Sequence, residues 1–273
     1  MNKLVANLSL AALSTLSLLA FSPNVEAADL KLDKDLLDRF FADYFQNEGK
    51  AFDERALPQL DASNLYWDGG ADSVEVFFID EGAGFQNQLL FKANEQPLEM
   101  IFDNVSGIGS VMENTRNGVK DGVMTLGEGK GLGKFDGPTQ LSFFINADGN
   151  RGGTNLFGSD GFTGDIVDGR TVNADGFSHL VAYNYFDQKS QENYTIIGFE
   201  DLWGEKGHRK AEDNNGYDLT GADRDFNDVV FAVKGLSQGA PPTPTDVPEP
   251  SLLLGMLGVF ALGAKGAKRK LTT

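Results

Sequence analysis

Two short segments concentrate the residues able to do chemistry. Gly221-Ala222-Asp223-Arg224-Asp225-Phe226-Asn227-Asp228-Val229-Val230-Phe231 is a carboxylate-rich turn running straight into an apolar strand. Ile197-Gly198-Phe199-Glu200-Asp201-Leu202 is a strand that ends on two acids. Asp223, Asp225 and Asp228 fall within six residues, and two like charges ~5 Å apart repel by ~3 kcal/mol at an effective dielectric of ~20. Arg224 can offset one of these charges; a bound divalent cation offsets more. Calcium takes about 6–8 oxygen ligands at ~2.3–2.6 Å. Asp201, Asp223, Asp225 and Asp228, completed by a backbone carbonyl or waters, make a candidate Ca2+ set. If the strand persists through Phe199, alternation sends Glu200 and Asp201 to opposite faces, so at most one is easily a ligand, and the choice falls on Asp201 as nearer the loop. The pattern is not an EF-hand, whose loop carries Gly at its sixth position and Glu at its twelfth; counted from Asp223, those places hold Asp228 and Lys234. Any calcium site is therefore assembled across strands. The competing reading is a run of Asx-turns, in which Asp and Asn side chains accept bonds from nearby backbone amides.

Composition narrows the ligand chemistry further. The chain has no cysteine and two histidines, His179 and His208. That excludes a thiol nucleophile, a cysteine zinc site and an iron–sulfur cluster, and argues against a histidine-rich transition-metal site. With 40 acidic against 23 basic residues and a net charge of −17, the surface repels nucleic acid, whose binding rests on Lys and Arg neutralising phosphates, and it attracts cations. His179 falls in a strand, where it is expected to be packed and hydrogen-bonded, with a ligand or general-base role as the alternative. His208 sits beside Arg209 and Lys210 and is expected to be solvated.

These side chains need a frame. Residues 32–47 read as a helix, because Leu32, Leu36, Leu37, Phe40, Phe41, Tyr44 and Phe45 recur at helical spacing. Asp33 is placed to cap its start and Gly49 to end it. Its polar face carries Asp35, Asp38 and Asp43 rather than lysines, so the apolar stripe is expected to pack on the core and not on a membrane. Beyond Pro58 the pattern changes to short strands: Ser73–Asp80, with Val74, Val76 and Phe78 on one face, then Gln88–Ala93, Leu98–Phe102, Gln140–Asn146, Ser178–Phe186, Tyr194–Phe199 and Asp228–Lys234. Turn-rich stretches separate them at Asp103–Ser110, Gly127–Gly137 and Asp148–Asp168. Asn-Ala-Asp-Gly occurs at 146–149 and again at 173–176, and reads as two similar turns. The pattern predicts a mainly β fold, an antiparallel β-sandwich or jelly roll over residues 61–236, preceded by an N-terminal amphipathic helical segment over 28–60, with short hydrophobic helices at the termini.

The two ends read as export signals. Lys3 precedes an apolar stretch from Leu8 to Phe21, and Val25-Glu26-Ala27 offers a small-residue cleavage site, so residues 1–27 are expected to be a secretory signal peptide. Without disulfides, an exported chain must be held by its core, by metal ions or by both. Pro241, Pro242 and Pro244 make 237–247 an extended spacer. Val247-Pro248-Glu249-Pro250 leads into the apolar run 251–264 and then into Lys265, Lys268, Arg269 and Lys270. The apolar run favours a membrane and the basic end stays on the cytoplasmic side. The run is short against the ~20 residues of a stable span, which suits a brief anchor. The order over 248–273 resembles the PEP-CTERM sorting signal of bacterial envelope proteins. That resemblance implies a processing protease of the exosortase type, transient anchoring by the C-terminus, and a final place in the envelope, at the cell surface or outside the cell.

The stretch from Asn173 to Gly235 resembles the bacterial domain of unknown function 4114. Its members pair a G-F-E-D-L segment with D-R-D-Y/F-N-D-V/L-V-F, here Gly198–Leu202 and Asp223–Phe231. Asp175–Tyr183 is similar to the family's D-G-x-D-H-V-x-A-Y segment, with Ser178 in place of the usual acid, and 204–220 is longer than usual. The resemblance implies an extracellular β-sandwich module of surface and adhesin-like proteins and no established activity. Three functions compete. The favoured one is a non-enzymatic, calcium-stiffened surface module whose partners are exopolysaccharide or neighbouring surface proteins. Trp203, Tyr217, Tyr183 and Tyr185 would offer stacking faces for sugars, or else fill the core. The second is a glycan-acting hydrolase with paired carboxylates, Glu200 with Asp223 or Glu205; clustered Asp residues look more like metal ligands than like an acid of raised pKa. A triad through Ser178 and His179 is unsupported, since adjacent strand residues face opposite ways. The third is a structural protein in which calcium serves stability alone.

Overall fold

Alternation along Val74–Asp80 feeds two apolar clusters at once. Val74, Val76 and Phe78 enter one, while Phe77 and Ile79 enter another on the opposite face. The computed structural model describes residues 30–43, 57–70, 72–105, 107–108, 124–204 and 222–238. The larger antiparallel sheet has seven strands in the spatial order β1 (Leu30–Lys31), β9 (Glu128–Gly133), β4 (Val74–Asp80), β16 (Val229–Lys234), β15 (Glu192–Phe199), β14 (Leu180–Asp187) and β2 (Gln59–Leu60). The smaller runs β17 (Ser237–Gln238), β3 (Leu65–Trp67), β10 (Thr139–Ala147), β5 (Gln88–Ala93) and β6 (Glu99–Phe102), with β11 (Asn155–Gly158) also paired to β10. Two minor pairs join β12 (Ile166–Val167) to β13 (Arg170–Thr171) and, in parallel, β7 (Gly107–Ile108) to β8 (Met124–Thr125).

The main core lies between the sheets. Leu89, Phe91, Leu141, Phe143 and Ile145 of the smaller sheet pack with Val76, Phe78, Ile197, Phe199 and Phe231 of the larger, and the rings of Phe143 and Phe231 are 5.5 Å apart. Each such side chain contributes ~1.5–3 kcal/mol on burial. The chain is thus mainly β, with antiparallel sheets in the arrangement of a β-sandwich.

The outer face of the larger sheet is covered by α1 (Lys34–Asp43). Asp33 caps it by accepting the Leu36 N–H at 3.2 Å. Leu36 and Phe40 pack on Phe77, Tyr183, Tyr185 and Tyr194, with Phe40 4.6 Å from the Tyr185 ring. Arg39 donates to both carboxylate oxygens of Asp187, at 3.1 and 3.0 Å, and pins the helix to the end of β14. On the outer face of the smaller sheet, Leu90, Phe144 and Leu156 pack with Val167 and Val172.

Several stretches depart from the sequence reading. Gly127–Gly137 holds β9, and Asp148–Asp168 holds β11. Glycine marks close packing in β9 rather than a turn: a Cβ at Gly129 would stand 2.5 Å from the Phe77 ring. Ser237–Gln238, read as the start of the spacer, pairs with β3, and Gln59–Leu60, read as the end of the helical segment, pairs with β14. Tyr183 and Tyr185 are buried under α1 and offer no stacking face to a sugar. The helix is described as far as Asp43. Tyr44, Phe45, Gly49, the export signal 1–27, the spacer beyond Gln238, the tail 248–273 and the segment 205–221 with Glu205, His208 and Tyr217 lie outside the described residues. Among the described residues no helix is long and apolar enough to cross a membrane.

Candidate functional site

Strand β15 persists through Phe199 as expected, yet Glu200 and Asp201 do not part to opposite faces but bring their carboxylates together, because the ladder stops at Phe199 and alternation does not carry past it. Glu200, Asp201 and Asp228 each bring a carboxylate oxygen within 4.8 Å of the other two, and Glu200 forms a second such group with Asp223 and Asp225. The four acids expected as ligands are therefore divided, Asp201 and Asp228 in one triad, Asp223 and Asp225 in the other. Glu200, which the alternation argument set aside, is common to both. The first triad is the drier one: Glu200, Asp201 and Asp228 are 0, 3 and 9 % exposed.

Main-chain bonds draw the two segments together. The Asp228 N–H donates to the Phe199 carbonyl at 3.1 Å, and the Asp201 N–H donates back to Asp228 Oδ2 at 2.8 Å. Glu200 accepts the N–H of Arg224 at 2.7 Å and that of Leu202 at 3.3 Å. Arg224 and Phe226 hold left-handed backbone, with φ of 60° and 57°, at a cost of roughly 1–2 kcal/mol each. The Asx bonds of the competing reading are present too: Asp225 N–H to Asp223 Oδ1 at 3.4 Å and Asn227 N–H to Asp225 Oδ1 at 3.3 Å. They are long and shape the Asp223–Asp228 turn, but they leave the convergence with Glu200 and Asp201 unexplained.

Asn87 is a site residue that sequence reasoning missed. Its Oδ1 accepts the Asp148 N–H at 2.9 Å, and its Nδ2 donates to Asp201 Oδ2 at 2.7 Å. A backbone N–H can only donate, so this bond fixes the amide's orientation. Asn87 precedes β5 and thereby ties the smaller sheet to acids carried by the larger. A lone Asn at a strand start gives no signal of this in the sequence.

Electrostatics follow from burial. Removal from water, reinforced by the charge of Asp223, pushes Glu200 up to about 7. Burial also pushes Asp201 up to about 7 against the bond from Asn87, with the charges of Glu200 and Asp148 adding to the rise. Asp228 is raised well above the carboxylate range by burial and then by Asp201 and Glu200. Arg224 directs its guanidinium to the Ser178 carbonyl and over the Phe177 ring, 5.1 Å from its centre, and not to the three acids. The carboxylates of Glu200, Asp201 and Asp228 instead face one another within 4.8 Å, and burial with mutual repulsion favours their protonated forms. A divalent cation can take the place of such protons, and an all-oxygen donor set suits a hard cation.

His179 has both ring nitrogens engaged. Nδ1 donates to the Glu200 carbonyl at 2.9 Å, and Nε2 pairs with Asp175 Oδ2 at 2.9 Å. The ring is fully buried and stacked on Phe157 at 3.7 Å. Burial opposes ionisation of Asp175, but bonds from His179 and from the Gly204 N–H prevail and pull it down to about 2. His179 is thus a packed hydrogen-bonding residue with no nitrogen spare for a metal or a proton transfer. No family model matches the chain, and no curated protein or solved structure matches it; the site is read from its own geometry.

Proposed function

We propose that this chain is an exported, non-enzymatic β-sandwich module of the bacterial envelope or extracellular matrix that binds Ca2+ through its acidic turn. The observation that carries the reading is the meeting of Glu200, Asp201 and Asp228 in one buried place. Export, PEP-CTERM sorting and kinship with the domain of unknown function 4114 rest on the sequence segments alone. Exopolysaccharide or neighbouring surface proteins are the partners this setting supplies. The hydrolase reading gains the raised pKa of Glu200, the property of a general acid. Against it, Glu200 is closed off from solvent and from any glycosidic oxygen. The test is thermal unfolding of the full-length protein with Ca2+ and with chelator. A cation that binds the folded state at ~100 times its dissociation constant adds ~2.7 kcal/mol. An upward shift that disappears in Asp228→Asn is expected; equal melting with and without Ca2+ would reject the site.

A further inference from the structure

We propose that Asp175 and His179 are positioning residues of the carboxylate site, gripping the chain on either side of Asp201 so that Glu200 and Asp201 face Asp228. The inference rests on the cation reading above. The grip has two jaws. His179 Nδ1 donates to the carbonyl of Glu200 at 2.9 Å. Asp175 Oδ2, bonded to His179 Nε2, also accepts the N–H of Gly204 at 2.8 Å. One buried pair therefore holds both ends of the 200–204 segment.

The pair is itself anchored. The Phe177 N–H donates to Asp175 Oδ1 at 3.2 Å, and Phe157 lies 9° from the plane of the His179 ring. Phe157 belongs to β11, which pairs with the smaller sheet, whereas the acids extend from β15 of the larger. The grip thus references the acidic segment to the opposite sheet. Asn87 and the Arg224 N–H act on carboxylate oxygens; Asp175 and His179 act on the backbone that carries those carboxylates. Removing partners that orient ligands without touching the metal lowers affinity about 10- to 100-fold in known metal sites.

The test is Ca2+ titration by calorimetry of the full-length protein, His179→Phe and Asp175→Asn, together with melting in chelator and in saturating Ca2+. Phenylalanine keeps the stack and loses both nitrogens; asparagine keeps the shape of Asp175 and loses its charge. Val233→Ala is the control, a core truncation at the end of β16 away from Asp228. The control should lower melting equally with and without Ca2+ and leave the dissociation constant unchanged. The two grip variants should bind Ca2+ about 10- to 100-fold more weakly, and bound Tb3+ should show an additional coordinated water in luminescence decays compared between H2O and D2O. Folded variants that bind as tightly as wild type, or that repeat the Val233→Ala pattern, overturn the positioning role while leaving the cation site standing. No binding by wild type overturns the cation site and the grip with it. If His179→Phe does not fold, Asp175→Asn decides; if neither folds even in saturating Ca2+, the pair is a folding element and the proposal fails.

Discussion

Raising the pH of the cation-free protein from about 5 to about 8 is expected to destabilise it. Glu200 has an ordinary value of 4.5 and is pushed up to about 7 in the folded chain, by burial first and by Asp223 second. Between those values the folded state holds the proton and the unfolded state does not, so stability falls as pH rises. The move corresponds to ~3 kcal/mol for Glu200 alone. Asp201 and Asp228 shift in the same direction, but the three titrate as one coupled group, so their effects do not simply add. At ~2–4 °C per kcal/mol for a domain of this size, the loss is ~6–12 °C in Tm. Groups with depressed values act elsewhere: Asp175, pulled down to about 2, supplies stability that is present above its ordinary 3.8 and lost only as pH falls below it. The assay is circular-dichroism melting across the pH series in chelator, repeated in excess Ca2+, for wild type and Glu200→Gln. The amide can accept from only one of the Leu202 and Arg224 N–H groups, so the variant should melt lower in mild acid, but its slope against pH should be shallower. Excess Ca2+ should flatten the wild-type slope. A metal-free Tm that stays level or climbs over this window refutes the reasoning, as does an undiminished slope in Glu200→Gln.

Three other outcomes follow from the packing. Phe40→Ala removes a fully buried ring between α1 and the larger sheet and should cost ~3–5 kcal/mol in urea unfolding; a loss below ~1 kcal/mol would show that the helix is not docked as described. Arg39→Met strips Asp187 of its bidentate partner while Ser190 still donates to it through N–H and Oγ–H, so the expected cost is ~2 kcal/mol, and Asp187→Asn in the same background should recover part of it. Gly82→Ala would set a Cβ 2.7 Å from Asn227 Oδ1 and 3.1 Å from its carbonyl oxygen; it should displace the acidic turn, destabilise by ~1–3 kcal/mol and weaken Ca2+ binding, and unaltered calorimetric affinity would show that the turn tolerates the push.

Strand signals were legible where apolar residues dominate a short segment bounded by turn residues, even with distant partners, as Val74–Asp80 pairs with β9 and β16. Gln88–Ala93 is found with its expected bounds, and Val74, Val76 and Phe78 share the main core. Helix α1 was legible from spacing and from its Asp33 cap. Strands β9 and β11 were hidden because glycine was read as a turn former, whereas Gly129 and Gly158 lie under the rings of Phe77 and Phe144. The two Asn-Ala-Asp-Gly segments also part company. The first is left-handed at Asp148 and the second at Asn173 and Gly176, and Asn173 buries its amide against Gly158. Local sequence matches, but long-range partners decide the backbone. At the site, the acidic turn was visible as a charge cluster, yet the role of Glu200 was not, since it depends on where β15 ends. Asn87 depended on a contact between sheets 114 residues apart in sequence, which no local pattern encodes.

The choice between turn-forming acids and a cation site turns on what the Asx reading leaves over. Asparagine at 223 and 225 would accept the same backbone N–H bonds that shape the turn, without adding charge. Glu200, Asp201 and Asp228 are a different matter, because their burial together raises all three pKa values and disfavours the ionised fold by ~3 kcal/mol for Glu200 alone. Turn geometry gives no return for that cost. A divalent cation does: at ~100 to ~1,000 times its dissociation constant it restores ~2.7 to ~4.1 kcal/mol, which matches the penalty of one such carboxylate. Because Asn87 joins Asp201 to the Asp148 loop of the opposite sheet, a cation held there would tighten the contact between the two halves of the sandwich and not merely one loop. A chain without cysteine would then have, in a bound cation, a cross-link whose strength follows that cation's concentration.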